Sequence, residues 1–298
     1  MTPPDTPITT APRITAPAPE QTAAPTLPGK IWFVGAGPGD PELLTLKGRR
    51  LLEEAGAILY AGSLVNEAAT RFAPAGCVIR DSKDMTLEAM NDWLIEHAQR
   101  HATVVRLQTG DPGLYGALIE MTRPLTAAGL AWAVVPGVSS AFAAAAAAGE
   151  TLTLPEVTQT VILTRAGGRT PVPAGEDLAA LATHRSTLCI FLSITLLHEV
   201  QAALRTAGWP EEAPILVVQK ASWPGAEKIV RGTLADIKRR CQDEKIGTQA
   251  MIIASPTLGA GNWESVIRSK LYDPAFTHGH RRASASADTD TARPADPS

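Results

Sequence analysis

The sequence predicts an α/β protein of two domains, and three observations carry that reading. Its 298 residues, 45% of them hydrophobic, leave room for roughly two cores at about 150 residues each. Between positions 30 and 272, short β-rich apolar runs alternate with helix-length periodic segments, the pattern of a largely parallel sheet covered by helices. Outside those limits the composition changes. Residues 1–28 are mostly Pro, Thr and Ala, and 273–298 are equally poor in core-forming side chains, so both ends read as disordered tails.

The first domain, 29–150, opens with a strand at Ile31–Val34. The segment from Pro41 to Ala55 carries Leu43, Leu44, Leu46, Leu51 and Leu52 between charged residues, which predicts one amphipathic helix opened by Pro41 in its first turn. Further strands are expected at Ala57–Tyr60, Cys77–Arg80, Thr103–Leu107 and Trp132–Val135, with helices after Thr86, from Leu114 and after Ser139. Ser139 or Ser140 is suited to cap the last of these. Its alanine run, 143–148, is a good helix former whose small side chains let another element approach closely.

Gly149 to Gln159 holds turn residues and no period, which places the domain boundary there and the second domain at 151–272. Strands are expected at Thr160–Leu163, Thr187–Leu192, Ile215–Gln219, Lys228–Arg231 and Ala250–Ala254, and helices near Asp177, Leu196 and Leu234. The last strands lack full helices between them, so an antiparallel portion and a mixed sheet are predicted.

Charge and composition exclude several functions. Against 27 Lys and Arg stand 30 Asp and Glu, so no whole-chain basic field gathers nucleic acid. The first residues lack a basic stretch followed by an apolar one and do not read as a secretory signal. The least polar stretch, 131–148, is broken by Pro136-Gly137 and Ser139-Ser140 and is too interrupted for a membrane span of about 20 residues. No membrane partner is expected. Cys77, Cys189 and Cys241 are dispersed and odd in number, which disfavours disulfides and zinc knuckles and fits a reducing cytoplasm. His97, His101, His184 and His198 lack ligand spacing, and His278 and His280 fall in the tail, so no metal site is supported.

Chemistry concentrates at three strand ends. Val34-Gly-Ala-Gly-Pro-Gly-Asp-Pro41 sits between a strand and a helix, where a dinucleotide fingerprint would lie. Its spacing disagrees with that fingerprint, because Asp40 stands where the third glycine belongs and no acidic residue follows the second strand. A phosphate-binding P-loop fails too, since no Gly-Lys-Ser/Thr follows. The other two strand ends carry Thr109-Gly-Asp-Pro112 and Pro136-Gly137. In an open α/β sheet ligands sit beyond the carboxyl ends of strands, so three small-residue loops there point to one pocket.

These loops, with Leu-Leu-Thr-Leu-Lys-Gly at 43–48 and Val-Pro-Gly-Val-Ser-Ser at 135–140, resemble the tetrapyrrole methyltransferases of cobalamin and sirohaem synthesis. The likeness spans essentially the whole folded part. The longer motifs at 60–65, 152–157, 163–166, 169–173 and 221–224 look most like the branch that methylates C11 of precorrin-4. The resemblance implies two α/β domains, usually in a homodimer, with S-adenosylmethionine bound in the active-site cleft between them and S-adenosylhomocysteine as product. Carried over by position, cofactor contacts fall on Pro38, on Thr109, Gly110, Asp111 and Leu114, on Ser139 and Ser140, and on Leu192 and Ala221. Relatives that methylate uroporphyrinogen carry Asp-Arg after the tyrosine of the second strand, whereas here Tyr60 precedes Ala61-Gly62, so no acid–base role transfers to that place.

Methyl transfer from a sulfonium to carbon is an in-line displacement in which alignment dominates, and no general base is assigned. The many carboxylates of such a substrate suit arginine forks. The basic residues near predicted strand ends are Arg80, Lys83, Arg106, Arg165, Arg169 and Lys220; Lys83, Arg106, Arg165 and above all Arg169 are the expected substrate contacts. Two other readings stand beside this one: a methyltransferase acting at another position of a precorrin or uroporphyrinogen, and a non-catalytic ligand-binding module of the same fold.

Overall fold

The computed structural model describes residues 29–266 and 269–283. The expected tail at 1–28 and most of the one at 273–298 lie outside them. Residues 273–283 form a turn, in which the Arg281 guanidinium donates to the Leu271 and Asp273 carbonyls at 2.9 and 2.5 Å.

In the first half, β1 (Lys30–Gly35), β2 (Ala57–Tyr60), β3 (Val78–Asp81), β4 (Thr103–Gln108) and β5 (Ala131–Val135) form one parallel sheet in the order β3-β2-β4-β1-β5. Both faces of its central strands are buried, which is why their sequences read as nearly continuous apolar runs. Val34, Ile58, Val105 and Leu107 meet α1 (Leu46–Glu53) on one face. Ile31, Phe33, Leu59 and Val104 meet α2 (Leu87–Ala98) and α3 (Leu118–Ala127) on the other.

Two helix starts differ from expectation. Pro41–Leu43 is a short 3₁₀ turn, and α1 begins only after Thr45, whose hydroxyl accepts from Gly48 N at 3.0 Å. The hydrophobic period of 41–55 therefore spans two elements, because Leu44 is extended and the threonine cap restarts the helix. The helix expected from Leu114 starts at Leu118, because Tyr115 and Ala117 are left-handed, at φ 56° and 50°.

The second half holds β6 (Val161–Arg165), β7 (Thr187–Phe191), β8 (Pro214–Gln219), β9 (Lys228–Thr233) and β10 (Ala250–Ala254), ordered β6-β7-β10-β8-β9. Only β6 and β7 pair in parallel; β10 runs against both β7 and β8, and β9 against β8, so this sheet is mixed. One face is covered by α5 (Leu178–Ala182), α6 (Leu197–Thr206) and α7 (Ile237–Asp243). The other is covered by α4 (Ser140–Ala147), which follows β5 of the first sheet. Packing thus crosses the boundary drawn at 149–159. Ala141, Ala144 and Ala145 face Leu216, Val218, Met251 and Ile253, a fit that larger side chains would prevent.

Candidate functional site

The register of the first sheet brings three strand ends level: Gly35 lies beside Gln108, and Val34 beside Val135. The loops leaving β1, β4 and β5 then meet through glycines. A Cβ on Gly35 would lie 2.5 Å from the Gly110 carbonyl oxygen, and one on Gly137 would lie 2.0 Å from it. No side chain fits such spacings, so the glycines serve close approach as well as turning. Gly37 and Gly110 also form a bridge, with Gly110 N donating to Gly37 O at 2.8 Å. Asp111 ties the second loop to the third: one carboxylate oxygen accepts from Gly113 N at 2.8 Å, the other from Gly137 N at 2.9 Å.

The second sheet closes the space from the far side. Because β10 is antiparallel to β7 and β8, the carboxyl ends of those two strands and the start of β10 share one edge. There Leu192, Lys220, Ser222 and Gln249 all have positive φ, between 49° and 66°. Non-glycine residues in that region cost about 1–3 kcal/mol each and collect at ligand sites. Hydrogen bonds cross between the halves: Gln249 Nε2 donates to Ser63 O at 2.7 Å, Trp223 Nε1 to Pro38 O at 2.9 Å, and Asp40 N to Ser222 Oγ at 3.1 Å.

Between the two walls lies a cleft of about 970 Å³, counting its open mouth. All nine residues expected to contact cofactor stand on its surface. Pro38 comes from the first loop, Thr109, Gly110, Asp111 and Leu114 from the second, Ser139 and Ser140 from the third, and Leu192 and Ala221 from the second sheet. A Cβ on Gly110 would meet no protein atom nearer than Ser139 Cα at 3.8 Å, so the backbone there borders open space into which a ligand fits.

The sequence reading missed Tyr115, Phe191 and Trp223 on the same surface. Tyr115 packs on Phe191 with ring centroids 5.4 Å apart, and Gln108 Nε2 holds the neighbouring Gly116 carbonyl at 2.6 Å. Burial raises the Tyr115 phenol above its ordinary pKa; nearby Arg165 opposes that and Glu176 adds to it. The signal for Trp223 was available, since it lies in the Ala-Ser-Trp-Pro motif at 221–224.

Lys220 also lines the cleft, but the basic residues expected to contact substrate behave differently. Among the described residues, none of Lys83, Arg106, Arg165 and Arg169 belongs to the cleft wall. Arg106 requires correction as a substrate contact: it is 5% exposed, inside β4, and donates to Ser82 Oγ at 2.8 Å and Leu59 O at 3.4 Å. Burial depresses its pKa to about 10, against the opposing pull of Asp81. Arg165 donates within its own loop, to the carbonyls of Ala166, Thr170 and Pro171 at 3.4, 3.1 and 2.7 Å. Arg169 is exposed on that loop, whose Arg165 and Glu176 act electrostatically on Tyr115 at the cleft. Lys83 is exposed with its Nζ 3.5 Å from Asp81 Oδ2. Burial pushes the thiols of Cys189 and Cys241 up to about 12 and 11, which makes them poor nucleophiles. Among the described residues no helix is long and apolar enough to cross a membrane, and no group of three His, Cys, Asp or Glu side chains converges as metal ligands.

Two sheets joined by a cleft, with three glycine loops on one wall, define a class of enzyme: the chain belongs to the tetrapyrrole (corrin/porphyrin) methylases, whose family model matches residues 30–238. It is 46% identical over 253 residues to the cobalt-precorrin-4 C(11)-methyltransferase of Priestia megaterium, covering 85% of this chain and 98% of that one. It is 41% identical over 251 residues to the precorrin-4 C(11)-methyltransferase of Pseudomonas aeruginosa, covering 84% and 98%. Among solved structures, a cobalt precorrin-4 methyltransferase of cobalamin biosynthesis superposes with a TM-score of 0.74 at 46% identity, covering 76% of this chain and 94% of that one. The uroporphyrin-III C-methyl transferase of Thermus thermophilus, solved with S-adenosyl homocysteine, superposes at 0.64 with 31% identity, covering 78% and 100%. The family expected from the motifs is the family found.

Proposed function

We propose that this protein transfers a methyl group from S-adenosylmethionine to C11 of precorrin-4, or of its cobalt form, in cobalamin biosynthesis. The observation that carries this is the likeness to two C11-methyltransferases along nearly their whole length, joined to a cleft whose wall holds every expected cofactor position. The donor supplies a methyl already activated by sulfonium charge. The chain's part is then to hold and align, and effective molarities of oriented reactants account for about 7–11 kcal/mol of such a barrier.

Pro38, Gly110, Ser139 and Ala221 surround the donor on this reading. Asp111 shapes the pocket, each of its oxygens accepting a backbone N–H group from the loops it joins. Arg169 and Lys83, both exposed, are left to meet substrate carboxylates, with Arg169 suited to bidentate contact. A homodimer in the cytoplasm completes the proposal; light scattering at working concentration tests the dimer.

The assignment is tested by incubating candidate precorrins with labelled methyl donor and analysing products by mass and NMR. One methyl at C11 is expected. Label at another ring carbon, or no transfer where S-adenosylhomocysteine binds, rejects it.

A further inference from the structure

We propose that Ser222 and Trp223 are positioning residues for the methyl donor, gripping the glycine loop of the first sheet from the second. The proposal rests on reading the cleft as the cofactor site.

The turn that carries them is built against its own backbone preference. Trp223 N donates to Lys220 O at 2.9 Å, closing a turn whose third residue is Ser222 at φ 66°. That position favours glycine or asparagine. Lys220 is also left-handed, at φ 49°. The strained turn is held at its base, by Lys220 N donating to Gln249 O at 2.8 Å and Ser222 N to Glu227 Oε2 at 2.6 Å. A serine kept in such a conformation points to a use for its hydroxyl.

That use is visible across the cleft. Pro38 O and Asp40 N are the polar backbone groups on either side of Gly39, and this turn engages both, through Trp223 Nε1 at 2.9 Å and Ser222 Oγ at 3.1 Å. The indole lies so close on Gly39 that a Cβ there would be 2.0 Å from Trp223 Cδ1. Trp223 and Pro38 also line the cleft, so the grip sits where the donor would be held. Glycine-rich loops have many accessible shapes, and fixing one from outside lowers the ordering cost that a ligand otherwise meets.

Ser222→Gly separates positioning from structure, because it relieves the left-handed backbone while removing the hydroxyl. The melting temperature should stay level or rise. The Kd for S-adenosylhomocysteine and the KM for S-adenosylmethionine should rise about three- to tenfold, the worth of one hydrogen bond. At saturating donor, kcat should stay within roughly twofold, since the grip acts on binding. Trp223→Phe, which keeps an aromatic side chain but loses the N–H and the five-membered ring lying on Gly39, should show the same split. Affinity lost only together with a fall in melting temperature marks a merely structural turn and overturns the proposal. Unchanged affinity in both variants, where Gly110→Val abolishes binding, overturns it and leaves the cleft assignment standing; if Gly110→Val also binds normally, both fall.

Discussion

Replacing Gly110 by alanine separates what the fold requires of that glycine from what the ligand requires. Gly110 has φ +59°, and a residue with a Cβ there costs about 1–2 kcal/mol. No steric cost is added, because the new Cβ would find no protein atom closer than 3.8 Å. At about 2–4 °C per kcal/mol for a protein of this size, the melting temperature of Gly110→Ala should fall by roughly 2–8 °C. Gly137→Ala is the contrast, since its Cβ would lie 2.0 Å from the Gly110 carbonyl oxygen and 2.8 Å from Gly35 Cα. Backbone at those distances must move, which costs about 3 kcal/mol and strains the junction of all three loops. Ligand binding should show the other side of the comparison: the Gly110→Ala methyl projects into the cleft, and displacing the donor there costs about 1–3 kcal/mol, or roughly five- to 150-fold in Kd. Thermal unfolding without ligand and calorimetry with S-adenosylhomocysteine give both quantities. A Gly110→Ala protein as unstable as Gly137→Ala, or one that binds S-adenosylhomocysteine like the parent, would refute the reasoning.

Arg106→Met should stabilise the protein by about 1–3 kcal/mol in thermal or urea unfolding, because an apolar chain replaces a buried cation and Asp81 keeps its bonds from Gly62 N and Lys83 N. The folded pKa of about 10 lies below the ordinary 12.5, so the charge burdens the folded state below pH 10 and the advantage of Arg106→Met should shrink as pH rises above it. An advantage that grows with pH contradicts this. Arg169→Ala should raise the KM for the tetrapyrrole about tenfold, from the loss of a charge-assisted pair, with the KM for S-adenosylmethionine unchanged; steady-state kinetics with each substrate varied decides it. Asp111→Asn should weaken S-adenosylhomocysteine binding and lower the melting temperature, because an amide turned toward Gly113 N or Gly137 N gives up a bond worth about 1.5–3 kcal/mol. The kcat–pH profile should keep its shape, and a lost limb would show Asp111 to be a base.

The strands were legible because most are buried on both faces and write that burial as continuous apolar runs, as in Ile215–Gln219 and Ala57–Tyr60. Helix starts were less so. The leucines of 41–55 keep one period across a break that only Thr45 and the extended Leu44 betray. Tyr115 and Ala117 give no local sign of being left-handed, since Gln108 and the Phe191 ring hold that segment from elsewhere in the chain. The positions expected to contact cofactor all fall on the cleft, because glycine and serine at strand ends are specific in type and place. The basic residues were not legible: an arginine beside a strand end has the same sequence whether it faces solvent, its own loop like Arg165, or the sheet interior like Arg106.

The placement of α4 has a consequence for the order in which the molecule can be made. Synthesis delivers this helix directly after the first sheet, yet the surface that receives its alanine face comes from β8 and β10. A nascent chain that has completed the first sheet therefore carries an alanine-rich apolar helix whose seat is complete only when β10 emerges, more than a hundred residues later by the sequence. The same late strand brings Gln249, Ala250 and Met251 to the cleft. The cleft therefore has both its walls only once the second sheet has formed, although most of the positions expected to contact donor are already present in the first.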